Sequence, residues 1–199
     1  LKMAKRTPAT LTTFGYKKGN VSIGEPKFYF EEGVVIGMCA TVTCEKGQEL
    51  LVVRGSVGEQ QLLPAAAALQ TALVLGLDFD RSLEALKKYV PPPGRGRLFA
   101  GKNASVIIDD TYNSSPAAIE EALKTLADFP NAGRRIAVLG DMLELGRYSV
   151  EEHERIGALA RKAADIVVSV GVRARAFKGT RAYDDSRAAT AAALLEDVK

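Results

Sequence analysis

Two stretches of the chain carry side chains that could act on a phosphorylated or amine-bearing ligand. The first, IIDDTYNSSP from Ile107 to Pro116, sets two carboxylates, a tyrosine and an asparagine between strand-like residues and a helix start. A carboxylate such as Asp109 or Asp110 at a strand end can hydrogen-bond a ribose, and the N–H groups that open a helix can receive a phosphate or carboxylate. Capping and turn formation are the commoner roles of residues like Asp110, Asn113 and Ser115, and by composition alone that reading is favoured. The second stretch, LGDMLELG from Leu139 to Gly146, again follows a strand and precedes a helix. Its Asp141 and Glu144 could orient an amine, although acidic residues flanked by glycines are also ordinary turn chemistry. His153 is the only histidine and lies three residues before Ile156 on the helix that follows. A lone histidine beside a core face is more often a satisfied structural group than an acid or base.

GRLFAGKN, Gly96 to Asn103, comes within one residue of the phosphate-gripping G-x-x-x-x-G-K-[ST] loop. It is rejected because Asn103 lacks the hydroxyl that would hold magnesium, and because the segment leaves a proline-rich stretch and enters a strand. Cys39 and Cys44 lie five apart in an apolar, strand-like run, which has no zinc-type spacing and reads as core in a reducing compartment. One histidine and two strand cysteines supply neither a metal site nor a catalytic triad.

The elements that must carry these loops fall into two patterns. Lys27 to Glu31, Val34 to Cys44 and Glu49 to Arg54 alternate as strands, with turns at Glu32–Gly33 and Lys46–Gly47, and predict an antiparallel β-meander. Pro64 suits the first turn of an alanine-rich helix that Gly76 stops, and Asp80 is placed to cap a second helix to about Tyr89. Pro91, Pro92, Pro93 and Gly94 cannot continue a helix and read as an interdomain hinge. Beyond them, strands at Ala104–Asp109, Arg135–Leu139 and Asp165–Val170 alternate with helices. Ser115 with Pro116 opens one helix, and Ser149 with Glu152 forms a capping box for another. Alternation of this kind predicts an α/β fold with a doubly wound, mostly parallel, Rossmann-like sheet, whose ligands bind outside the carboxyl ends of its strands.

The 199 residues, 47% hydrophobic, suffice for one large or two small cores. The net charge of +3 is spread along the chain, so nothing points to nucleic acid. No apolar run approaches the roughly 20 residues that span a bilayer, and no signal peptide opens the chain, so a cytoplasmic protein without membrane insertion is expected. Leu1 at the start, with strand-like residues soon after, reads as an excised piece of a longer protein.

Taken together and in order, PGR at Pro93–Arg95, IIDDTYNSSP, IAVLGDMLELG at Ile136–Gly146 and the helix bearing His153, Ile156 and Gly157 resemble the Mur ligases. These are ATP-dependent peptide-bond-forming enzymes, and the match is most like the branch that adds D-alanyl-D-alanine to a peptidoglycan precursor. TFG at Thr13–Gly15 and the meander look like the second half of that family's central ATPase domain. The resemblance is strongest from residue 93 to 171. It implies residues 1–92 as the end of the central ATP-binding domain and 93–199 as the carboxy-terminal domain, with the UDP-binding domain and the P-loop outside this chain.

The same resemblance implies the site residues. Arg95 would reach the nucleotide as the catalytic guanidinium, Asp110 would contact ATP, and Tyr112 and Asn113 would line that site. Asp141, Met142, Glu144 and His153 would lie near the dipeptide. ATP and Mg2+ would be held mainly by parts outside this chain, and no metal ligand is assigned within it. The implied partners are UDP-N-acetylmuramoyl-tripeptide and D-alanyl-D-alanine, acting on a monomer. Where the family has a segment like GxHNVxNALAA, this chain has GEQQLLPAAAA, with Gln60, Gln61 and Pro64 at the histidine and asparagine positions. It also ends at Lys199 in a helix, before the last strand that the family's third domain would need. Another amide ligase of this fold, resembling folylpolyglutamate or cyanophycin synthetases, and a noncatalytic nucleotide-binding or interaction module are the alternatives.

Overall fold

A computed structural model describes residues 6–195, with side chains described to Thr190, so the chain ends at Leu1 and Lys199 lie outside the described residues. The fold comprises two compact units, one through Asp110 and one from Thr111.

The first unit is built on β4 (Val34–Cys44), which pairs antiparallel with β3 (Lys27–Glu31) and β5 (Gly47–Arg54) across the turns expected from the glycines. Because β5 occupies one edge of β4 from Gly37 to Cys44, the other edge holds β3 and, beyond it, β2 (Val21–Ile23). Strand β1 (Phe14–Tyr16) runs parallel to β2. One face of this sheet buries Val21, Ile23, Val42 and Leu51 together with Leu62, Ala66 and Leu69 of α1 (Leu62–Val74). Gly76 ends α1 by taking φ +74, which lets the Leu77 N–H reach back to the Ala72 carbonyl, the terminating bond of a Schellman motif.

Helix α2 (Phe79–Lys87) is capped by Asp78 rather than Asp80. Asp78 has the extended backbone a cap requires and accepts from the Arg81 N–H at 2.9 Å, which leaves Asp80 in the first turn, where its charge meets the helix dipole. Cys39 is buried, and burial pushes its thiol above the ordinary range.

GRLFAGKN is a β-hairpin: β6 (Arg97–Ala100) pairs antiparallel with β7 (Val106–Asp109), and the turn between them places Asn103 and Ala104 at positive φ. Lys102 therefore opens a 3-10 turn within a hairpin connection, not an α-helix, and backbone geometry bears out the rejection of a phosphate loop. The strand foreseen at Ala104–Asp109 thus pairs antiparallel in a ribbon belonging to the first unit.

The second unit contains the parallel sheet, in the order β10–β9–β8, from β8 (Ile136–Gly140), β9 (Ile166–Val170) and β10 (Arg181–Tyr183). Helix α3 (Pro116–Asp128) starts as the sequence predicts, with Ser115 accepting from the Ala118 N–H and Pro116 at its first position. Helix α4 (Ser149–Ala163) has no capping box, because Ser149 is already helical and a 3-10 turn at Gly146–Tyr148 leads into it. Ile119 and Leu123 of α3, Ile156 and Ala160 of α4, Ala137 of β8, Val167 of β9 and Phe177 share one core. Helix α5 (Ser186–Leu195) follows β10. Among the described residues no helix is long and apolar enough to cross a membrane.

Candidate functional site

In the first unit, Arg95 stands between Gly94 and Gly96, both at positive φ, just before β6. Its backbone carbonyl accepts from the Gln61 carboxamide at 3.2 Å and from the fully buried Ser56 hydroxyl at 3.5 Å. Carboxylates at the end of β7 hold the loop from the other side. Asp109 accepts the Gly94 N–H at 3.0 Å, and Asp110 accepts the Gly96 N–H with the Arg95 guanidinium nearby. The Gly96 carbonyl in turn accepts from the Val57 N–H. A Cβ at Gly96 would press on the Val57 carbonyl and on the Gln61 amide, so this close approach needs glycine. The segment read as a hinge is therefore strapped to the first unit around Arg95, whose side chain is exposed.

Half-buried Asp110 is pushed above the ordinary carboxylate range by burial, with Asp109 adding to the rise while the Gly96 N–H and Arg95 oppose it. A raised folded-state value means that the folded protein binds the proton more tightly than the unfolded chain. Folding therefore loses stability as pH climbs from the ordinary value of 3.8 through the raised one. Asp110→Asn removes that loss. The melting-temperature difference, variant minus wild type, is expected to grow as pH rises past 3.8 and then level off. A difference that shrank across the same titration would show that Asp110 is stabilised in its charged form. Carboxylates held at such a cost are characteristic of functional sites.

Gln60 and Gln61 lie in the 3-10 turn that leads into α1. Gln61 is used on Arg95, whereas the Gln60 carboxamide oxygen is buried and finds no hydrogen-bond partner. The turn, the guanidinium and the carboxylate together form a donor and acceptor set suited to a nucleotide.

The second unit holds the other candidates. Tyr112 is 70% exposed, and Asn113 accepts from the N–H of its own neighbour Ser114 just before α3. Asp141 anchors the chain that follows β9: its Oδ1 accepts from the Ala174 N–H at 2.6 Å, and Gly171, at φ +122, packs so closely that a Cβ there would overlap the carboxyl. Met142 and His153 are both fully buried. The His153 Nε2 accepts from the Met142 N–H at 3.0 Å, and its Nδ1 donates to the Ser149 carbonyl at 2.6 Å. This pairing fixes the neutral Nδ1–H tautomer and leaves neither nitrogen for a ligand. The ring packs on Phe177 with centroids 4.8 Å apart. Glu144 is exposed at the loop tip with φ +62, between Met142 and the partly buried Leu145.

The structure thus brings Arg95 and Asp110 together in one unit and Asp141, Met142 and His153 together in the other. Sequence reasoning missed Asp109 and Gln61 as supports of the Arg95 loop. The signal for Asp109 was its place beside Asp110 at a strand end, but a carboxylate's choice of backbone partner is set by the hairpin, which the sequence reading lacked.

A sequence profile of the Mur ligase, glutamate ligase domain matches residues 94–199. The chain belongs to the Mur ligase family. Among curated relatives, UDP-N-acetylmuramoyl-tripeptide--D-alanyl-D-alanine ligase of Mycobacterium tuberculosis is 38% identical over 112 residues, covering 53% of this chain and 22% of that enzyme. The Escherichia coli enzyme of the same name is 38% identical over 116 residues, 57% of this chain and 24% of the enzyme. This Mur ligase chain therefore matches about a quarter of the length of those relatives. Among solved structures, MurF ligase from Thermotoga maritima in complex with ADP superimposes with a TM-score of 0.77 at 29% identity, covering 94% of this chain and 42% of that one.

Proposed function

We propose that the chain is part of an ATP-dependent ligase that joins D-alanyl-D-alanine to UDP-N-acetylmuramoyl-tripeptide in peptidoglycan precursor synthesis. Residues 1–92 would end its central ATP-binding domain and residues 93–199 form its carboxy-terminal domain, in a monomeric cytoplasmic enzyme. The observation that carries this reading is the ribbon β6–β7, which seats the Arg95 loop on the two carboxylates of IIDDTYNSSP. It stands within a chain whose relatives bear that ligase name.

ATP with Mg2+ supplies the phosphoryl group that activates the precursor carboxylate as an acyl phosphate for attack by the dipeptide amine. Within this chain, Arg95 offers a permanently charged, bidentate donor for phosphate oxygens. Asp110 accepts from a ribose hydroxyl, and the strap of Asp109, Gln61 and Ser56 fixes the backbone that carries Arg95. Catalysis of this kind rests on positioning and charge neutralisation, which an arginine on a fixed backbone supplies. Tyr112, Asn113 and Glu144 are exposed and accessible to ligands.

The test is an assay of the complete enzyme that carries this chain. ADP release should require ATP, the UDP-tripeptide and D-alanyl-D-alanine together; turnover supported by glutamate instead of the dipeptide would assign it to the folylpolyglutamate-like alternative. The 199 residues alone are expected to stay at background in the same assay, because GRLFAGKN is a hairpin and not a phosphate loop. Phosphate release that depended on Lys102 would overturn that account.

A further inference from the structure

We propose that Arg173 is the receptor for the terminal carboxylate of the incoming dipeptide, an inference that rests on the ligase reading and names the residue that reads its second substrate. Parallel sheets bind ligands outside the carboxyl ends of their strands. At that end of β8–β9–β10 the chain leaves Gly140, Val170 and Tyr183, and the loop after β9 presents Arg173. The loop is fastened at its base. The Gly171 N–H reaches the Tyr183 carbonyl at 2.9 Å, and the Ala174 N–H reaches Asp141 Oδ1 at 2.6 Å.

The side chain, by contrast, is uncommitted: 58% exposed, its one described ion pair runs to Asp141 Oδ2 at 4.0 Å, beyond hydrogen-bond reach. Neighbouring cations are differently placed. Arg175 is bound to Asp184 at 2.5 Å, and Arg147 lies over the Tyr148 ring while donating to its hydroxyl. A guanidinium has five donors in a fork that fits a carboxylate bidentately. The Asp141 charge nearby offsets part of the positive field, which suits a single carboxylate better than a polyphosphate. Asp141 thereby becomes the positioning residue for the Arg173 loop rather than a ligand for the amine.

The experiment compares D-alanyl-D-alanine with its C-terminal amide as acceptors for the complete ligase, measuring kcat/KM for each. Wild type is expected to prefer the free carboxylate by about tenfold to a hundredfold, because a site built around an ion pair discriminates strongly against its loss. Arg173→Ala should lose activity on the dipeptide, keep it on the amide, and so erase the preference, while KM for ATP stays unchanged. Arg173→Lys should retain part of the preference, since it keeps the charge but not the fork. If the alanine variant does not fold, Arg173→Gln takes its place with the same expected loss.

A preference that survives in the neutral variant of an active enzyme overturns the inference alone. So does a rise in KM for ATP with the preference intact, which would assign Arg173 to phosphate. Absence of any dipeptide-dependent turnover in wild type overturns the ligase reading and this inference with it.

Discussion

In the complete enzyme, Arg95→Ala is expected to lower kcat/KM for ATP by about 10²-fold or more, because losing one partner of a desolvated, charge-assisted contact costs about 2 to 5 kcal/mol. The structure explains why the loss should be chemical rather than structural. The hydrogen bonds described for the Arg95 loop are made by its backbone, the Gly94 and Gly96 amides on Asp109 and Asp110 and the Arg95 carbonyl on Gln61 and Ser56, while the guanidinium adds its charge beside Asp110. Truncating the side chain leaves those backbone hydrogen bonds intact and removes only the charge beside Asp110, so the melting temperature should fall far less than the activity. Arg97→Ala is the control. Arg97 belongs to β6, and its guanidinium lies over the Phe99 ring at 4.9 Å, so its removal subtracts a surface contact from the hairpin and should cost little activity. The reverse ranking would show that the two arginines have been assigned the wrong roles. Equal and negligible losses would reduce Arg95 to a solvated residue.

That ranking was partly legible before any fold was known, and the reasons differ by element. The meander could be read because glycines at positions 33 and 47 take positive φ, and the strands between them are apolar in the pattern of a buried sheet. Helix α3 could be read because Ser115 and Pro116 satisfy local rules that need no tertiary partner. The partner of β7 was not legible: an apolar run such as Val106–Ile108 marks a strand but not its neighbour, and its partner Arg97–Ala100 lies in GRLFAGKN, whose glycines point to turns. Asp78 outcompeted Asp80 for a cap because backbone angles, not residue type, decide which carboxylate meets the free N–H groups.

The second loop misled in the opposite direction. LGDMLELG reads as polar, yet its Met142 and Leu145 are the anchors that tie it to the core, and only Leu143 and Glu144 project outward. Apolar residues inside an acidic turn were the available signal that part of it points inward. His153, through its hydrogen bonds to the Met142 N–H and the Ser149 carbonyl, bolts this loop to α4.

His153→Ala should accordingly destabilise the second unit by about 3 to 5 kcal/mol, the range for deleting a large buried ring and leaving its polar partners unmet. Three losses coincide. The Met142 N–H, buried beside a fully enclosed side chain, has no acceptor left; the Ser149 carbonyl loses its donor; and the Phe177 ring faces a void. Since whole domains are stable by only about 5 to 15 kcal/mol, the unit would approach its unfolding threshold at physiological temperature. His153→Gln should recover part of the loss, because a carboxamide can accept from one N–H and donate to one carbonyl, though it cannot fill the space against Phe177. Denaturant titration gives the magnitude, and amide hydrogen exchange at Met142 gives the cause, since that N–H should lose protection selectively in the alanine variant and regain it in the glutamine variant. A variant within about 1 kcal/mol of wild type that nevertheless lost all turnover would mean that His153 takes part in the chemistry and reaches it through a conformation other than this one.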